Sequence, residues 1–540
     1  NPVSGELRAS ERMTVALRFT GAVQAAAAGW QAEPAEFEAA FQRSLLNYES
    51  ARTFRRSEVA AIAAAAAPDA WTPPQPGYKV LVRAEGLYQL TPAALASAGL
   101  PVAQLDPRSL RLFNGGQEVA LRVTGEADGK FDAGDVALFF GQGADTRYTD
   151  TNVYWLTYGG ATGLRMSTRN SIGGGTAVPS FFASVKREDN LVYDSDLPED
   201  TLAPMPGHDH WWGQQISAIG AGKTGTLNVS LATPELATGA ANASVSVLLG
   251  GVTAGAHHMR LYVNPASHPD SVWNGVWDGP TAHLISATFP QSYLSGTGNN
   301  TIRIELINDV SGLAADIVRV DWVRVGYQRT FRTASDQLLF GGDTPGAQRY
   351  TVDGFSTADV ELYDVTDPLR AAVIDWTVED PSSSSLFLPL TMRSQRPAAA
   401  AQAAAVAQPA FTLRFGDKQT TPRRYLAQTP AKRLSPVSIT LDQPSNLQSE
   451  TSGADYIIVT HADFAAAVQP LAAHRATQGL RVRVVDVQDV YDEFGAGLMS
   501  AEAIRDFIAH AYANWPRPAP SSVLLVGDGT YDFRYYKNTT

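Results

Sequence analysis

From Tyr78 to about Val437 the apolar residues recur at alternate positions in short runs, and each run is broken by Gly, Pro, Asn or Asp. A period of two sends successive side chains to opposite faces of a strand, which confines this stretch to sheets. Around Ser452 the period changes. "DYIIVT", "LRVRVVDV" and "SSVLLVGD" read as strands, with "DFAAAVQPLAAHRATQG" and "SAEAIRDFIAHAYANW" as helices between them. Strand, helix, strand, helix, strand is the pattern of two right-handed crossovers and a parallel sheet. The expected fold class is multidomain, mainly β with sandwich or jelly-roll-like domains, followed by a partial α/β parallel sheet.

The divisions follow the texture of the sequence. Residues 1–76 hold an alternating strand, Met13 to Phe19, and helices, one of which places Phe37, Phe41, Leu45 and Tyr48 on one stripe. Residues 77–185 form an all-β domain, in which Asn114-Gly115 marks a tight hairpin because a primed turn needs positive φ. Residues 186–331 carry the strand spacing of a jelly-roll-like sandwich. Residues 332–450 form a third β domain, containing "SSLFLPL" and interrupted by the Ala-rich "RPAAAAQAAAVAQPA", and residues 451–540 begin the α/β domain.

Composition excludes several functions. Lys and Arg number 42 against 54 Asp and Glu, and the net charge of −12 argues against nucleic acid or anionic membranes as partners. No apolar run approaches the roughly eighteen residues that a transmembrane helix needs. The chain has no cysteine, which removes disulfides, thiolate metal sites and a cysteine nucleophile. Phosphate-binding Gly-rich loops, His-Glu-x-x-His and Gly-x-Ser-x-Gly are absent too.

In an open parallel sheet ligands collect at the carboxyl ends of the strands, here Thr460 and His461, Asp486, and Gly527 to Gly529. His461 is either a general base or, with Asp463 beside it, a helix cap. In "GEADGKFDAGDVALFF" the residues Glu126, Asp128, Asp132 and Asp135 are spaced like the oxygen ligands of a calcium loop, with Gly129 at the turn. Thr124 stands where such a loop would lead with a carboxylate, and an ordinary Asp-Gly turn is the competing reading. His208, His210, His257 and His258 are candidate transition-metal ligands or ordinary strand residues. Tyr262, Trp273, Trp277 and Trp322 are candidates to stack on sugar rings or to pack, and alternation sends Val320, Trp322 and Val325 toward packing.

"ADYIIVTHADFAAAVQPLAAHRATQGLRVRVVDVQDVYDEFGAG", "AEAIRDFIAHAYANW" and "VLLVGDGTYD" together resemble the opening of the catalytic domain of gingipain-type cysteine peptidases. More weakly, "YKVLVRAEGLYQLT", "DGKFDAGDVALFFG", "NVYWLTYG", "VRVGYQRTF" and "VELYDVTDP" are similar to the β domains that precede it in large relatives and in the type IX secretion sortase. The resemblance implies a caspase-like fold, peptide or protein substrates, an extracellular or bacterial cell-surface location, and a catalytic His followed by Cys on later strands. No histidine matches that role: His461 lies in the opening motif, and His474 and His510 fall on the helices, where they read as surface residues. The expectation is therefore an amino-terminal portion of a secreted cysteine endopeptidase. It carries no catalytic residue, is inactive alone, and takes the remainder of the catalytic domain as its partner, within one polypeptide or as a cleaved fragment. The alternative is a surface adhesion or matrix protein with glycan- or protein-binding sandwiches and an inactive peptidase-like scaffold.

Overall fold

A computed structural model describes residues 71–194, 210–239, 241–379 and 410–537, with three helical residues Gln42, Arg43 and Tyr48. The strand expected at Met13 to Phe19, His208, "SSLFLPL" and most of the Ala-rich stretch lie outside the described residues.

Three β units precede the parallel layer. In the first, a five-stranded sheet runs in the order Ser438–Leu441, Tyr78–Val82, Asn152–Thr157, Arg111–Asn114, Gln117–Val119. It packs with a three-stranded sheet, Gly86–Leu90, Ala137–Gly141 and Arg122–Val123, through Val80, Tyr88, Leu112 and Phe139. The expected hairpin forms, but Asn114 pairs with Gln117, so the turn residues are Gly115 and Gly116 at φ 54° and 79°. Both need the left-handed region, which glycine enters without penalty.

The second unit is a two-sheet sandwich. Phe181–Glu188, Ala315–Arg329, Asn242–Gly251 and Ala282–Pro290 form one sheet, with Gln215–Ile219 on the long strand Ala315–Arg329. Thr224–Ala232, Asn299–Ile307, Ala256–Val263 and Trp273–Asp278 form the other. Alternation along each strand fills the space between with Val245, Val247, Leu261, Ile302, Ile304, Val323 and Val325. The long strand bulges: Val247 faces Val323 while Leu249 faces Val320. The extra residue shifts the phase, so Val320, Val323 and Val325 are buried while Trp322 is only partly covered.

The third unit has two sheets, one of Gln337–Gly342, Arg423–Gln428, Glu361–Asp364 and Ala372–Ile374, the other of Thr377–Glu379, Phe411–Gln419 and Gly346–Phe355, and strands from elsewhere in the chain join both. Thr168–Arg169 pairs in parallel with Ala372–Ile374, and Thr176–Ala177 with Gly346–Phe355, so the connection between the first two units fills edge positions in the third. Ser438–Leu441 returns from the third unit to pair with Tyr78–Val82. Leu87, Leu138 and Phe140 share a core with Tyr363, Val365 and Leu426. Arg169 binds both Asp364 and Asp417, and Arg433 binds Glu361 at 2.7 Å. First and third units are thus one packed body.

The parallel layer comprises β1 (Tyr456–Thr460), α1 (Gln469–Thr477), β2 (Val482–Asp486), α2 (Val487–Phe494), α3 (Ala501–Asn514) and β3 (Ser522–Val526). The strand order is β2–β1–β3, all parallel. Ile458 packs with Val468, Ala472 and Leu471 on the α1 side, while Ile457 and Val459 pack with Val490, Phe507 and Ala511 on the α2 and α3 side. Helices on opposite faces are what two right-handed crossovers departing in opposite directions require. Helix α2 was absent from the sequence expectation.

The sandwich core buries a hydrogen-bonded His–Asp pair. His257 and Asp316 are fully buried, with Nδ1 2.6 Å from the carboxylate and Nε2 3.2 Å from the Gly279 carbonyl oxygen. Thr253 donates to the same carboxylate at 3.0 Å. A carbonyl only accepts, so Nε2 carries a proton, and the proton on the Nδ1 side is shared with Asp316. Removing one partner leaves the other buried and uncompensated. Asp316→Ala is expected to cost about 3–5 kcal/mol, and Asp316→Asn, which retains an acceptor, less, both read from urea unfolding monitored by tryptophan fluorescence.

Candidate functional site

In an open parallel sheet the carboxyl ends of the strands are where a ligand crevice is expected, here at the ends of β1 and β3. Thr460 lies opposite Asp486 on one side and Val526 on the other, which brings the sequence-predicted edge residues of β1 and β2 together with the start of Gly527-Asp528-Gly529. Each polar group there has a local task. His461 Nδ1 accepts the Asp463 N–H at 3.2 Å and so caps the 3₁₀ turn Ala462–Phe464. Asp486 accepts the Gln488 N–H at 2.9 Å and caps α2. Asp528 accepts the Gly529 N–H at 2.8 Å, and no atom lies within 4 Å of where a Cβ would stand on Gly527 or Gly529. Of the two readings for His461, the structure realises the cap.

The outer strand of this edge is open. Among the described residues β3 pairs only with β1. Val523 and Leu525, which share a face with Ile457 and Val459, are 39% and 61% exposed. An apolar strand of a parallel sheet is ordinarily buried on both faces. Burial fails because α2 and α3 cover that face over β1 and β2 and stop short of β3.

The layer is seated on the first β unit by α2. Lys79 Nζ lies 2.7 Å from Asp492 and 3.0 Å from Asp442. Trp71 Nε1–H donates to the Asp492 carbonyl at 3.0 Å, and Trp155 Nε1–H to the Ala496 carbonyl at 2.8 Å. Glu493 accepts Ser445 Oγ at 2.5 Å and the Leu447 and Gln448 N–H groups at 2.8 and 2.9 Å, fixing the incoming connection. His510, expected on the surface, donates from Nε2 to the Gln448 carbonyl at 3.0 Å, whereas His474 is exposed. Burial works against the Lys79 charge, but Asp492 and Asp442 outweigh it and hold the ammonium above the ordinary lysine range. Burial lifts Asp492 to about 6 in spite of Lys79. Asp489 is pushed up to about 6 by burial and then by Asp486, Asp492, Asp442 and Glu493.

The remaining candidates do not converge. Glu126 is paired with Arg165 at 2.9 Å, Asp128 accepts the Lys130 N–H, and Asp135 accepts the Asp132 N–H at 2.7 Å, so the loop uses these carboxylates for its own turns and cation. Among the described residues no group of three or more His, Asp or Glu side chains is gathered to hold a metal ion. His210 Nδ1 contacts the Asp194 carbonyl at 3.0 Å, and His258 bridges Asp309 and Asn274. Trp277 and Tyr262 are buried, and Trp273 packs on the sandwich core. The Lys186 and Arg324 cations stand 5.4 and 5.0 Å from the Trp322 ring centre. No described helix is long and apolar enough to cross a membrane.

Comparison with known proteins finds a family match over the parallel layer. Residues 449–539 match the model of peptidase family C25, the gingipain family. No curated protein matches the chain. Among solved structures, dimeric latent PorU from Porphyromonas gingivalis matches with a TM-score of 0.57 at 17% identity, over 85% of this chain and 42% of that one. The two share a fold, and this chain spans under half of that protein's length. A CBM36-1 domain of a xylanase from the hindgut metagenome of Trinervitermes trinervoides matches at 11% identity over 27% of this chain and 95% of its own. A family 35 carbohydrate binding module from Clostridium thermocellum matches at 14% identity over 27% and 90%. Their TM-scores of 0.16 and 0.15 are too low to assign a fold.

The electrostatics of the α2 seat can be checked directly. Asp489 has a folded value raised from 3.8 to about 6, so protonation favours the folded chain and stability falls as pH rises between those values. Asp489→Asn is expected to raise Tm by several degrees at pH 7 and to flatten the decline between pH 4 and 6, measured by differential scanning calorimetry across that range.

Proposed function

We propose that this chain supplies the β units and the first part of the catalytic sheet of a gingipain-type cysteine peptidase acting on protein substrates outside the bacterial cell or on its surface. The observation that carries the reading is the match of residues 449–539 to peptidase family C25, coinciding with a parallel layer whose carboxyl edge is formed and whose third strand is open. Val523 and Leu525, together with the outer N–H and C=O groups of β3, suit a further parallel strand and a covering helix. That occupant would be the remainder of the catalytic domain, on the same polypeptide or as an associated fragment.

The chemistry divides accordingly. A thiolate attacks the peptide carbonyl, the C–N bond breaks, the imidazole that took the thiol proton returns it to the leaving amine, and water hydrolyses the acyl-enzyme. With no cysteine in the chain, the sulfur comes from the completing segment. The imidazole comes from it too, because His461 serves as a cap at the start of the crevice. What these residues contribute is the floor of the site: β1 and β3 set the spacing of the edge, and the Gly527-Asp528-Gly529 turn leaves room above it.

The reading is tested by assaying casein hydrolysis with the chain alone and after mixing with the polypeptide that continues the sheet. No turnover alone, and iodoacetamide-sensitive turnover on mixing, is the expected result. Hydrolysis by the unaccompanied chain, or a completing segment without Cys and His at its strand ends, would overturn it.

A further inference from the structure

The loop that leaves the carboxyl edge of β3 packs against parts of the chain far from it in sequence. Tyr531 lies 4.6 Å from Tyr193 and stacks on Trp211 at 6.0 Å with 28° between the planes. Tyr536 meets the same indole edge-on at 5.2 Å, and Lys537 Nζ stands 5.7 Å from its centre. Tyr193 and Trp211 are cross-strand partners in the two-stranded ribbon Val192–Tyr193 and Trp211–Trp212 of the second β unit. On its other side the loop reaches the first unit, where Phe533 packs edge-on against Tyr148 at 5.1 Å.

The loop is built to present those rings. Asp532 is buried and accepts the Tyr536 and Lys537 N–H groups at 2.8 and 2.9 Å, while its own N–H donates to Thr530 Oγ1 at 3.0 Å. This knot turns the backbone so that Tyr531 and Tyr536 both reach Trp211. Upstream, Gly527 to Thr530 are exposed, whereas Asp532 beyond them is buried.

We propose that the Tyr193 and Trp211 ribbon is a positioning element for the candidate site: it docks the 530–537 loop and so fixes one wall of the crevice at the ends of β1 and β3. The consequence for peptide access rests on the reading of that edge as the catalytic side; the docking itself does not. Trp211 and Tyr193 act through the loop and are positioning residues. Aromatic pairs of this geometry gain from ring orientation as well as buried area, so removing the Tyr531 ring releases the loop whereas keeping it as phenylalanine retains the stack.

Hydrogen exchange on the full 540-residue chain, followed by mass spectrometry, tests this without any assay of peptidase activity. In Tyr531→Ala, a half-exposed position, peptides covering 527–537 are expected to exchange roughly three- to tenfold faster, with smaller acceleration at 192–194 and none in β1, α3 or β3. Tyr531→Phe should restore the protection, and Tyr193→Ala should reproduce the effect from the sandwich side. Val276→Ala, an exposed position on the edge strand Trp273–Asp278 of the opposite sheet, should leave the loop unchanged. Unaltered loop exchange in Tyr531→Ala or Tyr193→Ala, or failure of Tyr531→Phe to restore it, overturns the proposal. Since these outcomes are read on the chain alone, they stand apart from whether peptide hydrolysis is found.

Discussion

A parallel sheet has to be covered on both faces, because its crossover helices are the only economical way to join strands running in one direction. In this chain the rule explains the whole carboxyl-terminal unit. Helix α1 covers one face through Ile458, and α2 and α3 cover the other through Ile457 and Val459. The cover ends at β3, whose Val523 and Leu525 stand in the same apolar face with little over them. Everything upstream arranges support for a layer whose other margin is exposed: α2 is seated on the first β unit, and the loop after β3 is held between the first and second.

That seat carries an electrostatic tension. Asp442, Asp486, Asp489, Asp492 and Glu493 gather where α2 meets the first sheet, and Lys79 ion-pairs with two of them. Glu493 is satisfied by three donors, and Asp486 by the helix it caps. The cost falls on Asp489 and Asp492, both lifted toward neutrality of the carboxyl. Two tryptophan N–H groups, from Trp71 and Trp155, reach carbonyls on and just after α2 and supply directional contacts that are insensitive to pH. The docking therefore has an apolar and hydrogen-bonded component fixed in strength and a charged component in which ionisation strengthens the Lys79 pairs while adding burial cost and repulsion at Asp489.

Periodicity made much of this legible, and the misses share a cause. The strands between Tyr78 and Arg329 and the parallel direction of the last unit follow from local pattern, which is where a period of two or a helical stripe acts. Helix α2 carried its own signal, Asp486 as cap with Val487, Val490, Tyr491 and Phe494 at helical spacing, but it begins directly after β2 with no intervening turn to mark it. The bulge opposite Val247 and Leu249 was invisible because an inserted residue changes phase without changing composition. Contacts such as Lys79 with Asp492, 413 residues apart, leave no trace in a single sequence, and neither does the return of Ser438–Leu441 to the first sheet. In the calcium-like loop the spacing of the carboxylates is legible, while the pairing of Glu126 with Arg165, 39 residues away, is not.

The division of labour at the crevice follows from the same geometry. A side chain can serve as a base only if its lone pair is directed at the reacting proton, and the His461 Nδ1 lone pair is spent on the Asp463 N–H. Releasing it would uncap the 3₁₀ turn that starts the β1 to α1 connection. Asp486 is bound in the same way to α2, and Asp528 to its own turn. The edge thus offers backbone spacing and open volume, while its polar side chains are occupied in holding the connections that create that volume. Among the described residues both outer strands, β2 and β3, lack a further partner, and it is β3 that leaves Val523 and Leu525 exposed on the face that α2 and α3 cover elsewhere.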